Sequence, residues 1–286
     1  NGTVMFTPIG TFCHEYSHTL GLPDLYDTDY EDSGGETEAL WGTTSLMDSG
    51  NYNNEGRTPP GYNGIELEML GLSEPESLHP GSYVLEPLPE SRRVLRMDTD
   101  TEGEYFLFEC RTTSGWDKFI EGSGLLIYHI DKSARNTGYS SEFEKDLTAA
   151  ERWSPDYNEI NCRPDHQCAD LVEAYSAAGT TSQVFFPYMS KNAFAFNTDP
   201  AFVFWSGAPS IFSLANIKKS GQAISFDVNG PISLDVKDIY QDAVILNWHS
   251  DIEFCNKFPT YVSWTDDEGE AHEVEVRPYG DGKYAY

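Results

Sequence analysis

The chain has 286 residues, 39% of them hydrophobic and 14% aromatic, enough for two or three domains with cores of their own. Its 47 acidic residues against 18 basic ones give a net charge of −29, which argues against nucleic-acid phosphate and anionic lipid as partners. No uninterrupted apolar run approaches the roughly 20 residues that a membrane-spanning helix requires.

The first predicted element is a helix. Thr7 can cap it, Pro8 suits its first position, and Ile9, Phe12, Tyr16 and Leu20 recur near the helical period. Inside it lies His14-Glu15-Tyr16-Ser17-His18, an H-E-x-x-H run. Positions four apart sit one above the other on a helix face, so His14 and His18 can aim their imidazoles at one ion. Glu15 lies about 100° round the helix from His14. From there its carboxylate reaches a water held by the metal rather than the metal itself, which is the position of a general base. Gly21 ends the helix, and its freedom to take positive φ swings Asp24 back towards the two histidines as a third ligand. Two histidines and one aspartate leave a corner of a tetrahedral ion open for water, whereas a structural zinc site fills all four.

Residues 40–61 read as a loop rich in Gly, Asn, Ser and Pro, and they contain the turn Ser45-Leu46-Met47-Asp48-Ser49-Gly50. Asn63 to Leu70 reads as a short helix ended by Gly71. Strands follow at Tyr83–Leu85, Arg93–Met97, Tyr105–Arg111 and Leu125–Ile130, separated by turn residues in the manner of a β-sandwich. The polar stretch 136–181 carries a helical piece near 169–178, and strands resume at Val184 and at Ala223–Val228. Of the remaining histidines, His129 sits in an apolar strand and reads as a hydrogen-bonded core residue. After Asn229-Gly230-Pro231 a further set of alternating segments begins at Ile232–Val236, Ala243–Trp248, Thr260–Trp264 and Glu273–Val276, with Asp266–Glu270 as a turn.

His14 to Asp27, with Leu46-Met47-Asp48-Ser49-Gly50, resembles the extended zinc motif and Met turn of the metzincin-like peptidases, most closely the immune inhibitor A family of secreted bacterial metalloproteases. Glu104–Glu109, Gly115-Trp116-Asp117 and Gly124–Asp131 are similar to the strands that follow that family's catalytic core. The resemblance covers residues 1–229. It implies zinc on His14 and His18, Glu15 as the base, Met47 as the floor beneath the metal, peptide or protein substrates, and an extracellular location. Several metzincins carry a tyrosine two residues after the turn methionine; this chain has Ser49 there, and its nearest tyrosine is Tyr52. In other zinc peptidases a glutamate on a following helix is the third ligand, so Glu66 and Glu68 stand beside Asp24 as candidates. The segments from 232 onward resemble a fibronectin type III domain with Trp248 as its core tryptophan.

The expected fold class is therefore α+β. Residues 1–75 would form the C-terminal half of a metzincin-like domain, residues 76–229 an antiparallel β-rich domain, and residues 230–286 a partial fibronectin type III-like sandwich. Only thirteen residues precede His14, so the upper half of the cleft is expected to be missing, with weakened zinc binding and low or absent activity as the consequence. The acidic run Asp24, Asp27, Asp29, Glu31 and Asp32 is open to a calcium ion as well as to solvent. Five cysteines point to an oxidising compartment, with Cys162 and Cys168 close enough for a local disulfide and Cys13 packed in the core. Bound zinc brings its water's pKa to about 7, so activity is expected near neutrality. The competing reading is a non-catalytic, adhesin-like β-sandwich protein with a vestigial or structural zinc site. The sequence is silent on oligomeric state.

Overall fold

The computed structural model describes residues 8–29, 42–177, 183–230, 233–239, 244–249, 260–265, 269–276 and 283–285. Helix α1 spans Ile9–Thr19 with Pro8, not Thr7, at its N-cap and no side chain capping it. Proline has no N–H to leave unpaired there. Gly21 ends the helix at φ +98°, and its N–H bonds the His18 carbonyl at 3.0 Å. The periodic residues that signal this helix form its outward side: Ile9, Phe12, Tyr16 and Leu20 are all exposed, and the rings of Phe12 and Tyr16 stack at 6.0 Å. Its inward side is Gly10, His14 and Ser17. A Cβ on Gly10 would stand 1.9 Å from the Asn51 carbonyl oxygen, so only glycine lets the helix approach that backbone.

The expected loop at 40–61 is more regular than its composition implies. It folds into 3-10 turns at Gly42–Thr44 and Ser49–Tyr52 and a single turn α2 at Asn53–Gly56, in which Asn54 and Glu55 have left-handed torsions. Helix α3, Gly64–Met69, opens on a capping box: Asn63 accepts from the Glu66 N–H, and Glu66 accepts from the Asn63 N–H.

The next elements are β1 (Glu76–Ser77), β2 (Gly81–Leu85), α4 (Leu88–Ser91), β3 (Leu95–Asp98), β4 (Glu104–Arg111), β5 (Gly124–Asp131), β6 (Asn136–Ser140), β7 (Lys145–Thr148), α5 (Ala149–Arg152) and β8 (Ala169–Leu171). Five of them form a sheet in the order β1-β3-β4-β5-β8, parallel at β1/β3 and antiparallel elsewhere. Every residue of β4 and β5 is buried, so the sheet is covered on both faces. On one face Tyr105, Leu107, Leu126 and Tyr128 join Met47, Ile65 and Leu67 in a common core. On the other, Phe106 stacks on His129 at 4.0 Å, and His129 Nε2 pairs with Glu104 Oε1 at 2.9 Å. The helix expected near 169–178 is replaced by β8. Ala169 and Leu171 are buried while Asp170 between them is less so, a period of two that completes the sheet against β5.

Contacts divide the chain into two compact units. The first comprises the described residues up to Leu78, Tyr83–Asn192 and Asn216–Phe226; the second comprises His79–Ser82, Ala193–Ala215 and the described residues from Asp227 onward. Strands β9 (Ser213–Ser220) and β10 (Ala223–Asn229) are followed, in the second unit, by β11 (Ser233–Ile239), β12 (Val244–His249), β13 (Thr260–Thr265), β14 (Ala271–Val276) and β15 (Lys283–Ala285). Strand β12 pairs antiparallel with β11 and β15, and β13 pairs antiparallel with β14. The core role expected of Trp248 concerns a side chain outside the described part, and most of the turn at 266–270 also lies outside the described residues. The whole is a mixed architecture of several sheets and short helices, in keeping with an α+β class. No described helix is long and apolar enough to cross a membrane.

A buried ionic network fastens the sheet to the loops around Met47. Arg111, wholly enclosed, grips both oxygens of Asp117 at 2.8 and 2.9 Å and reaches Glu109 Oε1 and the Thr44 carbonyl, each at 3.2 Å. Glu109 in turn accepts from Tyr128 and from the Gly64 N–H. Burial works against the Arg111 charge, but Asp117 and Glu109 outweigh it and hold the guanidinium protonated. Removing one partner of such a set strands the others as uncompensated charges. Arg111→Met is therefore expected to lower the unfolding free energy by about 3–5 kcal/mol, read from urea denaturation; a loss under about 1 kcal/mol contradicts the role given to the network.

Candidate metal centre

Residues four apart on α1 do share a face: the rings of His14 and His18 lie edge to face, with centroids 4.9 Å apart. Past Gly21 the chain reverses, and Asp24 Oδ1 comes to 3.2 Å from His14 Nε2 and 3.3 Å from His18 Nε2. The other ring nitrogens are both occupied by backbone. His14 Nδ1 lies 2.8 Å from the Leu46 carbonyl, and His18 Nδ1 lies 2.8 Å from the Leu22 carbonyl. A carbonyl oxygen only accepts, so both Nδ1 atoms carry hydrogen, and in its neutral form each imidazole has its Nε2 lone pair on the side of Asp24. Two imidazole lone pairs and a carboxylate oxygen then face one another at contact distance. Despite that closeness, Asp24 Oδ1 is buried with no hydrogen-bond partner among the described residues. A shared proton or a cation would satisfy such a set, and two imidazoles with one carboxylate are a donor set that suits zinc.

Burial disfavours the charged form of His14, yet Asp24 and the Leu46 carbonyl outweigh it and raise the imidazole's pKa. Burial likewise penalises the Asp24 carboxylate, while His14, His18 and Asn158 stabilise it and bring its pKa below the usual carboxylate range. Asn158 enters from a segment 134 residues away and donates from Nδ2 to Asp24 Oδ2 at 3.2 Å. Its own backbone is tied back, since Thr28 donates to the Asn158 carbonyl at 2.6 Å. Nothing in the sequence marks Asn158, because a single asparagine in a polar loop has no local pattern.

Glu15 is exposed beside the two imidazoles. It lines a cavity of about 260 Å³ with His14, Tyr26, Asp48, Asn51 and Tyr52. The Tyr26 ring lies over His14 at 6.5 Å. Met47, completely buried, belongs to the core cluster, and its carbonyl accepts from the Leu25 N–H at 2.9 Å. That bond ties the Met turn to the strand-like segment carrying Asp24.

Glu66 and Glu68 are engaged away from the imidazoles. Glu66 Oε1 accepts from Ser45 Oγ at 2.7 Å and from the Met47 N–H at 2.9 Å, and Oε2 accepts from the Asn63 N–H at 2.7 Å. Burial raises its pKa, with those donors and Arg111 pulling the other way. Glu68 bonds Arg96 at 2.8 Å and the Tyr105 hydroxyl at 2.6 Å. The pattern Asn63-x-x-Glu66 before an apolar run is the sequence signature that could have identified Glu66 as a capping residue.

Two expectations around the site are corrected. Cys162 and Cys168 are both buried and are not joined in a disulfide. Cys162 Sγ lies 3.3 Å from Thr28 Oγ1, Cys168 packs in the core beneath the sheet, and burial pushes the Cys162 thiol up to about 12. Of the acidic run, Glu31 and Asp32 lie outside the described residues, while Asp27 and Asp29 gather with Cys162. A thiol in that group does not fit the all-oxygen shell of calcium.

A helix-borne pair of histidines with an intervening glutamate, closed by a carboxylate from the following turn, is the type of centre that metal-dependent peptidases use. Residues 5–68 match the family described as immune inhibitor A peptidase M6, catalytic domain. The match takes in all of α1 and the turn at Met47 and ends within α3. No curated protein and no solved structure matches the chain.

Outer partners of metal ligands typically hold 10–100-fold of the affinity. Asn158→Ala is expected to weaken zinc binding by about tenfold, measured by competition with a chromophoric chelator. Affinity equal to that of the parent chain excludes an orienting role for Asn158.

Proposed function

We propose that this chain carries the metal-binding elements of a secreted zinc-dependent endopeptidase active site, with His14, His18 and Asp24 as the protein ligands and Glu15 as the general base. The observation that bears this reading is the convergence of three lone-pair donors on a point beside Glu15, together with the match of residues 5–68 to an M6 peptidase catalytic domain. Zinc held there would supply a Lewis acid that polarises the scissile carbonyl and acidifies a water in its fourth position.

The chain's own residues supply the remaining steps. The Leu46 and Leu22 carbonyls keep both Nδ1 atoms protonated, so that each Nε2 is available as a ligand atom. Asn158 fixes one oxygen of Asp24 and leaves the other towards the imidazoles. Glu15, exposed on the same turn of helix, takes a proton from the attacking water at its carboxylate and passes it to the departing amine nitrogen. No side chain is consumed, so hydrolysis proceeds without a covalent enzyme intermediate. Extracellular location accompanies this reading through the immune inhibitor A family.

Glu15→Gln preserves the helix and the ligands and removes only the proton acceptor. Peptide hydrolysis by the zinc-loaded chain is expected to fall by about 10²–10⁴-fold while zinc stoichiometry stays at one, checked with a fluorogenic peptide and elemental analysis. Hydrolysis that survives both this substitution and a zinc chelator sinks the assignment.

A further inference from the structure

The loop that carries Asp24 is bound along its length by a segment far away in sequence and in the same compact unit. Asn158 meets Asp24 and Thr28, and Asn161 meets Leu25, across 130 to 136 residues of chain. Asn161 is wholly buried and uses its side-chain amide as a peptide unit would. Its Oδ1 accepts from the Ala169 N–H at 2.9 Å, while its Nδ2 donates to the Leu25 carbonyl at 2.8 Å and to the Ala169 carbonyl at 3.3 Å. Carbonyls only accept, so the nitrogen must face both of them and the amide has one orientation. Ala169 stands opposite Ile130 in the β5/β8 pair, so the amide extends the sheet by one rung towards Leu25. Leu25 is thereby held on both sides: its N–H donates to the Met47 carbonyl at 2.9 Å, and its carbonyl accepts from Asn161. These bonds pin two successive peptide planes, the one Leu25 shares with Asp24 and the one it shares with Tyr26.

We propose that Asn161 is a positioning residue for the third metal ligand: by tying the Leu25 carbonyl to β8, it sets where the Asp24 carboxylate stands between His14 and His18. The inference rests on the reading of Asp24 as a ligand and adds the residue that places it. Asn158 and Asn161 have separate tasks. Asn158 bonds the carboxylate itself at 3.2 Å, but a carboxylate fixed at one oxygen still moves with its own backbone. Asn161 removes that backbone freedom without touching the ligand. Were its amide lost, the Leu25 carbonyl and both polar groups of the Ala169 backbone would lose a partner in an interior where Leu25 is 1% and Ala169 0% exposed. An unpaired buried group is costly, and a shift of the chain at 24–26 towards another donor relieves that cost at the expense of the ligand geometry. Asn161 and Ala169 both lie outside residues 5–68, so the metal centre depends on chain beyond the stretch that bears its motif.

Two measurements on the full chain test the proposal: zinc affinity by chelator competition, and the visible absorption of the cobalt-loaded protein, which reports ligand geometry. Three variants are compared with the parent. Asn161→Ala removes the amide; Asn161→Asp keeps its size and its acceptor but turns an oxygen towards the Leu25 carbonyl. Ile160→Ala loosens the same segment through the core and leaves the amide in place. Both Asn161 variants are expected to bind zinc about tenfold more weakly and to shift the cobalt absorption maximum. Ile160→Ala is expected to melt at a lower temperature with the affinity and spectrum of the parent. Parent-like affinity and spectrum in a folded Asn161 variant overturn the proposal, as do equal losses in Ile160→Ala, which would tie the effect to the stability of the segment. If neither Asn161 variant folds, the residue serves the fold rather than the ligand, and the proposal is likewise overturned. A parent chain that takes up neither zinc nor cobalt sinks the metal-site reading itself, and the positioning role falls with it.

Discussion

Two backbone carbonyls decide what the histidines of this chain can do. By accepting from Nδ1, Leu22 and Leu46 turn both Nε2 lone pairs towards Asp24, and without them the rings would be free to rotate or to take the other tautomer. The Leu22 carbonyl is set locally by the turn at Gly21. The Leu46 carbonyl is set from a distance. It belongs to a turn whose next N–H, that of Met47, is held by Glu66, whose own helix begins where Glu109 of the sheet accepts from Gly64. Arg111 then links Glu109 and Asp117 to the Thr44 carbonyl just before the turn. The candidate metal centre thus hangs on a continuous set of buried hydrogen bonds that ends in the central strands.

This organisation explains why a fully buried guanidinium is tolerated. Arg111 is surrounded by carboxylates and carbonyls supplied by three separate segments, so its charge is compensated wherever it turns. The same group of residues would be expensive in isolation. It acts here as a joint between the sheet and a stretch of chain, residues 42–63, built of short single turns.

Much of this was legible in the sequence where the signal is local. The spacing of His14 and His18, the glycine that ends their helix and the distance on to Asp24 depend on a dozen consecutive residues, and the geometry reproduces the expected convergence. The strands at 95–98, 104–111 and 124–131 announced themselves through apolar, β-branched and aromatic runs bounded by turns. What escaped was set by distant contacts. Asn158 matters only because the fold returns it to Asp24, and Ala169–Leu171 is a strand only because β5 offers it an edge. The pairing expected of Cys162 with Cys168 rested on proximity in the chain, which says nothing about where two thiols point. The apolar period of α1 was read correctly as helical, but periodicity alone does not state which side faces solvent.

Gly10 gives the arrangement a mechanical property. Because its single hydrogen lets the α1 backbone rest against the carbonyl of Asn51, the scaffold bearing both imidazoles and the wall of the adjoining hollow meet main chain to main chain. Side chains can rotate out of the way; backbones cannot. A shift of the Asn51 backbone towards the helix must therefore tilt it, and any tilt displaces His14 and His18 together, so the position of that wall and the alignment of the two imidazoles are mechanically coupled.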